Sequence, residues 1–212
     1  MTMELFINFL ARWGHGLFGI TWIGMLYYFN FVQGGYFKEA SPEALADAKA
    51  KLAPKALWWF RWGAMFTFLT GLYLIHTVTF GALNDYILIG VVLGTLMAAN
   101  VWMVIWPAQK IALGLVDGGD KAAAAGKALL ASRTNTLFSA PMLFGMFASK
   151  HPTGLQDAGV SGGTGLYIAL AIILALEVNG LKGKQGPITT VRGVILSSLA
   201  LTAVLAAVLN LF

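Results

Sequence analysis

Long apolar stretches alternate along the chain with short polar, glycine-rich connections. A helix needs about 20 residues at about 1.5 Å rise to cross a bilayer. Six stretches approach or exceed that length: about 5–33, 57–80, 86–109, 130–149, 163–180 and 190–211. Ser132, Arg133, Thr134, Asn135 and Thr136 crowd the start of the fourth, whose helix is expected to begin as an interfacial segment near Lys121. The last two are nearly pure Ile, Leu, Ala and Val, so polar and aromatic positions concentrate in the first four. The pattern predicts an all-α fold: a polytopic integral membrane helix bundle of six transmembrane helices in a single domain spanning 1–212.

The connections carry their own signals. Ser41-Pro42-Glu43-Ala44 reads as a helix start, with Ser41 as cap and Pro42 at the first helical position, giving a short helix to about Ala50 that breaks before Pro54. Asp117-Gly118-Gly119-Asp120 and Gly183-Lys184-Gln185-Gly186-Pro187 read as turns, and Gly159–Gly163 as a flexible loop. Pro107 and Pro141 are expected to kink or end their helices. All but Arg12 and Lys150 of the fourteen Lys and Arg residues fall at the connections between spans one and two, three and four, and five and six. The positive-inside rule makes that side cytoplasmic and places both termini outside. The first apolar run is too long for a signal-peptide core and reads as a retained helix.

Composition agrees with a lipid bilayer as the surroundings. The chain is 58% hydrophobic and 11% charged, against about a quarter charged in soluble domains. Without cysteine there are no disulfides, thiolate metal sites or covalent c-type haem. No nucleic-acid motif, P-loop, H-E-x-x-H, Ser-His-Asp set or carboxylate pair occurs, and Glu177 is a lone carboxylate in the fifth span.

The expected topology puts His15, His76 and His151 toward the outer side. His151, between Lys150 and Pro152, reads as interfacial. His15 lies about ten residues into the first span, roughly 15 Å deep by helical rise, and ionisable groups inside a membrane default to functional candidates. Haem iron accepts imidazole nitrogen, and helix bundles build such sites from facing helices. Gly14 and Gly16 beside His15, with Gly19 one turn on, would admit a flat macrocycle; tight helix packing explains the same glycines equally simply. The candidate cofactor set is His15, His76, Gly16 and Arg12, with His15 and His76 as iron ligands of a b-type haem.

A second cluster gathers at the cytoplasmic ends: Asn30, Trp62, Asn100, Arg133 and Asn135, with Tyr28, Gln33, Trp102 and Trp106 nearby. An interfacial aromatic belt with snorkelling cations accounts for much of it, but less well for Asn100, about two turns inside its helix. Amides and an arginine on neighbouring helices suit the head group of a quinone or another planar heterocycle.

Three stretches together resemble one family. His15-Gly16-Leu17-Phe18-Gly19-Ile20-Thr21-Trp22-Ile23-Gly24 followed by Tyr28-Phe29-Asn30, Ala98-Ala99-Asn100-Val101 through Lys110, and Ser132–Asn135 with Pro141-Met142-Leu143-Phe144 through His151-Pro152 are similar to the membrane domain of cytochrome-linked urate oxidases (urate hydroxylases), in a form without the C-terminal cytochrome c domain. The resemblance implies a bacterial inner-membrane protein that oxidises urate and passes electrons to a cytochrome c or a larger electron-transfer complex. A related family of bacterial protoporphyrinogen oxidases binds haem b through a first-helix histidine, which implies that role for His15. The family's histidine and paired asparagines before the fourth-helix proline stand here as Thr134-Asn135-Thr136, so one histidine and one amide are absent. The competing expectation is a non-catalytic accessory subunit of a respiratory or photosynthetic complex, with the apolar last two helices as contact surfaces.

Overall fold

The computed structural model describes residues 2–77, 83–149 and 160–212. His151 and Lys150 lie outside them. Among the described residues every regular element is helical: α1 (Met3–Tyr27), α2 (Gly34–Glu39), α3 (Pro42–Asp47), α4 (Ala53–Thr77), α5 (Asp85–Ala99), α6 (Trp106–Ala112), α7 (Lys121–Ala148), α8 (Thr164–Lys182) and α9 (Val191–Leu211). Three π-helical segments join neighbours without a break: π1 (Tyr28–Gln33), π2 (Ala48–Leu52) and π3 (Asn100–Ile105). Asp85–Ala112, Thr164–Lys182 and Val191–Leu211 are long and apolar enough to cross a membrane. α1, α4 and α7 have comparable lengths of 25, 25 and 28 residues but carry the histidine, tryptophan, arginine and amide positions. Large apolar side chains are widely exposed, among them Ile20 at 74%, Met103 at 76% and Tyr167 at 65%, as expected of surfaces facing hydrocarbon rather than water.

The prolines behave differently from expectation. The helix does not break before Pro54: π2 leads directly into α4 with Pro54 in its first turn. Pro107 does not end its helix, because π3 precedes it and α6 continues to Ala112. A proline ring clashes with the carbonyl four residues back, and the wider i→i+5 turn of a π segment relieves that crowding. Pro141 also sits inside an unbroken α7. It cannot donate to the Leu137 carbonyl, and Ser198 Oγ of α9 donates to that oxygen at 2.8 Å instead. A side chain from a neighbouring helix thus takes up the freed carbonyl, which is how proline is tolerated where water is absent.

The chain forms two compact units, Met1–Leu74 with Ala98–Ser132, and Ile75–Met97 with Arg133–Phe212. In the first unit α1 and α4 run antiparallel, as a ladder of contacts shows. Phe29 meets Phe60 edge-on, Phe18 lies tilted against Phe66 with ring centroids 5.1 Å apart, and His15 reaches Thr67 and Thr70. Gly63 permits the closest approach, since a Cβ there would stand 3.1 Å from the Trp22 backbone nitrogen.

In the second unit α5 and α7 cross at Gly90 and Gly145. A Cβ on Gly145 would come within 2.5 Å of the Tyr86 carbonyl oxygen, so only glycine fits. Small residues at such crossings let backbones pack closely where no hydrophobic effect drives association. Asn135 Nδ2 donates to the Met97 carbonyl across the same pair at 2.9 Å.

Candidate functional site

In the first unit, His15 is held by the face of α4 that α1 packs on. Thr67, Thr70 and Gly71 recur at helical spacing along it. His15 Nδ1 lies 2.9 Å from the Thr67 carbonyl oxygen and 3.1 Å from Thr70 Oγ1. A carbonyl oxygen only accepts, so Nδ1 carries the proton and Nε2 the lone pair of the neutral ring. Thr70 Oγ1 donates in turn to the Phe66 carbonyl at 2.6 Å. Gly71 makes room for the ring, because a Cβ there would stand 3.1 Å from His15 Cε1. Arg12, three residues before His15, shares its face by spacing, Gly16 is turned about 100° from it, and both are exposed. A Cβ on Gly16 would meet nothing within 4 Å.

His76 is exposed at the C-terminal end of α4. It stands nine residues beyond Thr67, half a turn out of phase with the face that grips His15. Among the described residues no group of three or more His, Cys, Asp or Glu side chains gathers in a form that could hold a metal ion.

A buried polar stripe continues down the first unit. Trp22, Leu26, Asn30 and Gln33 follow one another at four, four and three residues, on one helix face. Asn30 is 3% exposed, and its Nδ2 donates to the Leu26 carbonyl at 2.9 Å and to Ser132 Oγ at 2.8 Å. The buried Asn30 Oδ1, Gln33 Oε1, Trp22 Nε1 and Trp102 Nε1 have no hydrogen-bond partner. Trp62 lies 5.6 Å from Trp102, ring to ring, at 79°. Asn30 and Asn100 both sit in π segments and both are buried. Such segments frequently mark functional positions.

Trp106 carries the Arg61 guanidinium over its ring at 3.8 Å. Trp58 and Trp59 are exposed, in keeping with an interfacial belt.

In the second unit, Arg133, Thr134, Asn135, Thr136 and Ser139 form a buried run on α7. Arg133 is 8% exposed, and its Nε and Nη1 lack partners. Glu177 is also buried in this unit. Gly180 packs so closely on Thr134 that a Cβ would stand 2.5 Å from its hydroxyl oxygen.

Of the sequence-derived candidates, Arg12, His15, Gly16, Asn30, Trp62 and Asn100 thus fall in the first unit, and His76, Arg133 and Asn135 in the second. The sequence did not single out Thr67, Thr70 and Gly71, and Ser132 stood out only within a motif and not as a site residue. Their only signal was small and hydroxylated residues recurring along α4 and at the polar start of the fourth span.

Residues 75–179, just under half of the chain, match the family described as urate oxidase N-terminal. The match takes in α5 to α7 and most of α8, including Asn100, Arg133 and Asn135, and leaves α1 with His15 outside. No curated protein and no solved structure gives a significant match.

Proposed function

We propose that this is a membrane redox protein of the urate-oxidase-like kind, holding a b-type haem on His15 and passing electrons from a small planar reductant or a quinone to a cytochrome or larger electron-transfer partner. The observation that carries this reading is the 2.9 Å hydrogen bond from His15 Nδ1 to the Thr67 carbonyl. Ligating histidines typically donate their second ring nitrogen to a carbonyl or carboxylate, which fixes tautomer and orientation. Here that leaves Nε2 as the ligating atom. Arg12, one turn earlier on that face, would offer its guanidinium to a porphyrin carboxylate, and the open surface at Gly16 leaves the neighbouring face of α1 uncrowded. His76 falls in the second unit and is assigned no ligand role in this proposal. When bound, haem supplies one-electron exchange, tuned by the axial ligand and its hydrogen bond.

The partnerless groups of the polar stripe give the reductant end of the proposal. Trp22 and Trp102 offer N–H donors, Asn30 and Gln33 offer acceptors, and the edge-to-face pair Trp62 and Trp102 offers aromatic surface. A planar heterocycle whose edge both donates and accepts, or a quinone head group, has that complement. Arg133, beside Asn135 in the second unit, offers free N–H donors suited to an anion. Support for urate as the reductant is the partial family match. The same reading takes six crossings of a bacterial inner membrane with both termini outside, α1, α4 and α7 turning their polar residues inward.

Purified protein from cells supplied with haem is expected to show a Soret band that shifts to the reduced form when urate or a quinol is added. Pigmented, folded protein that no such reductant changes contradicts the proposed electron entry.

A further inference from the structure

A cavity of about 280 Å³ opens in the first unit and uses none of the candidate site residues above. Met103, Pro107 and Ile111 form one wall, and Ala123, Ala124 and Lys127 the other. Its origin is in the sequence: Ala122-Ala123-Ala124-Ala125-Gly126 gives the first turns of α7 almost no side chain with which to fill the space. Met103 is 76% exposed and lies on a helix long and apolar enough to span a membrane, so on the membrane reading proposed above, on which this inference rests, this wall would face hydrocarbon.

The polar end is cationic. Lys127 is the one cation in its lining; Lys110 is turned to the Trp106 ring at 5.6 Å and Lys121 lies by Gly114. The nearby Asp120 is engaged in capping α7, its Oδ1 accepting from the Ala122 and Ala123 N–H groups at 2.8 and 3.1 Å.

We propose that this groove binds an anionic phospholipid, with one acyl chain along Met103–Ile111 and the phosphate at Lys127. An apolar lining with a lysine in it, at the end of an apolar span, matches a molecule with an apolar chain and an anionic head, and basic pockets beside membrane helices bind such head groups. The site is independent of the haem and urate readings.

The test is thermal unfolding of detergent-purified full-length protein with added phosphatidylglycerol, phosphatidylcholine or inorganic phosphate. Phosphatidylglycerol is expected to raise the midpoint by several degrees more than phosphatidylcholine, and phosphate alone to do nothing. Lys127→Gln, at an exposed position, is expected to erase the preference for the anionic lipid. Ala124→Phe, which fills the slot but keeps the charge, is expected to erase the stabilisation itself. Equal stabilisation by both lipids, an equal effect of phosphate alone, or an undiminished phosphatidylglycerol effect in both variants overturns the proposal.

Discussion

Gly71→Ala separates the hold on His15 from the stability of the fold. The new methyl group would stand 3.1 Å from His15 Cε1 and 3.6 Å from Nδ1. Carbon atoms rest at about 3.5–4.0 Å, so the ring must retreat by a few tenths of an ångström. The 2.9 Å bond to the Thr67 carbonyl then stretches beyond the usual range of about 2.7–3.2 Å. Losing it costs about 0.5–1.5 kcal/mol. Alanine in place of glycine inside a helix returns about 0.5–1 kcal/mol. The two nearly cancel, and overall stability should move by less than about 1 kcal/mol. The tautomer should not survive so well. Nitrogen-15 NMR of histidine-labelled protein without cofactor is expected to show His15 protonated at Nδ1 in the parent and a mixed population in Gly71→Ala. Gly24→Ala, where a Cβ meets nothing within 4 Å, should keep the parent spectrum. Unchanged His15 nitrogen shifts in Gly71→Ala would refute the reasoning.

Other consequences follow from the same contacts. Ser198→Ala strands the Leu137 carbonyl freed by Pro141, at a buried site, and should cost about 1–3 kcal/mol in reversible denaturant unfolding, whereas Ser198→Thr keeps the donor and should lose less. Gly145→Ala pushes a methyl group against the Tyr86 and Gly90 backbone and should cost about 1–3 kcal/mol as overpacking. Ser41→Ala removes the side chain that accepts from Ala44 N–H and should speed hydrogen exchange in the first turn of α3, by about 1 kcal/mol of local stability. The Glu43 carboxyl is held below its ordinary value by its own backbone N–H and then by Ser41, against a smaller opposing effect of desolvation. A depressed folded-state pKa gives stability that is present above the unfolded value near 4.5 and lost as pH falls through the folded one, so α3 should loosen only below that range, as amide chemical shifts would report.

Much of the architecture was legible because apolar run length is a strong signal. α8 and α9 begin and end within about two residues of the expected spans, and α7 starts at Lys121, where a helical start ahead of the fourth span was expected. Ser41 caps α3 with Pro42 behind it, and Gly118, Gly119 and Gly186 take the positive φ angles that turns demand. The π segments were not legible, since an i→i+5 turn leaves no residue signature; a break was read before Pro54, and a kink or an end at Pro107. His15 stood out by its rarity inside an apolar run. The grip of Thr67, Thr70 and Gly71 on it depends on the antiparallel register of α1 and α4, which no local pattern encodes. Thr134, Asn135 and Thr136 looked like a polar interruption at a helix start, yet they are buried because α8 and α9 cover them through Gly180 and Ser198.

The measurement that tests the central claim most directly is an oxidised and reduced optical spectrum of the purified protein beside His15→Ala, both from cells supplied with haem and both shown to be folded. A Soret band with b-type reduced features in the parent, lost or shifted in His15→Ala, is the expected result. A colourless folded parent, or a His15→Ala protein with the parent's spectrum, contradicts the assignment of His15 as the haem ligand.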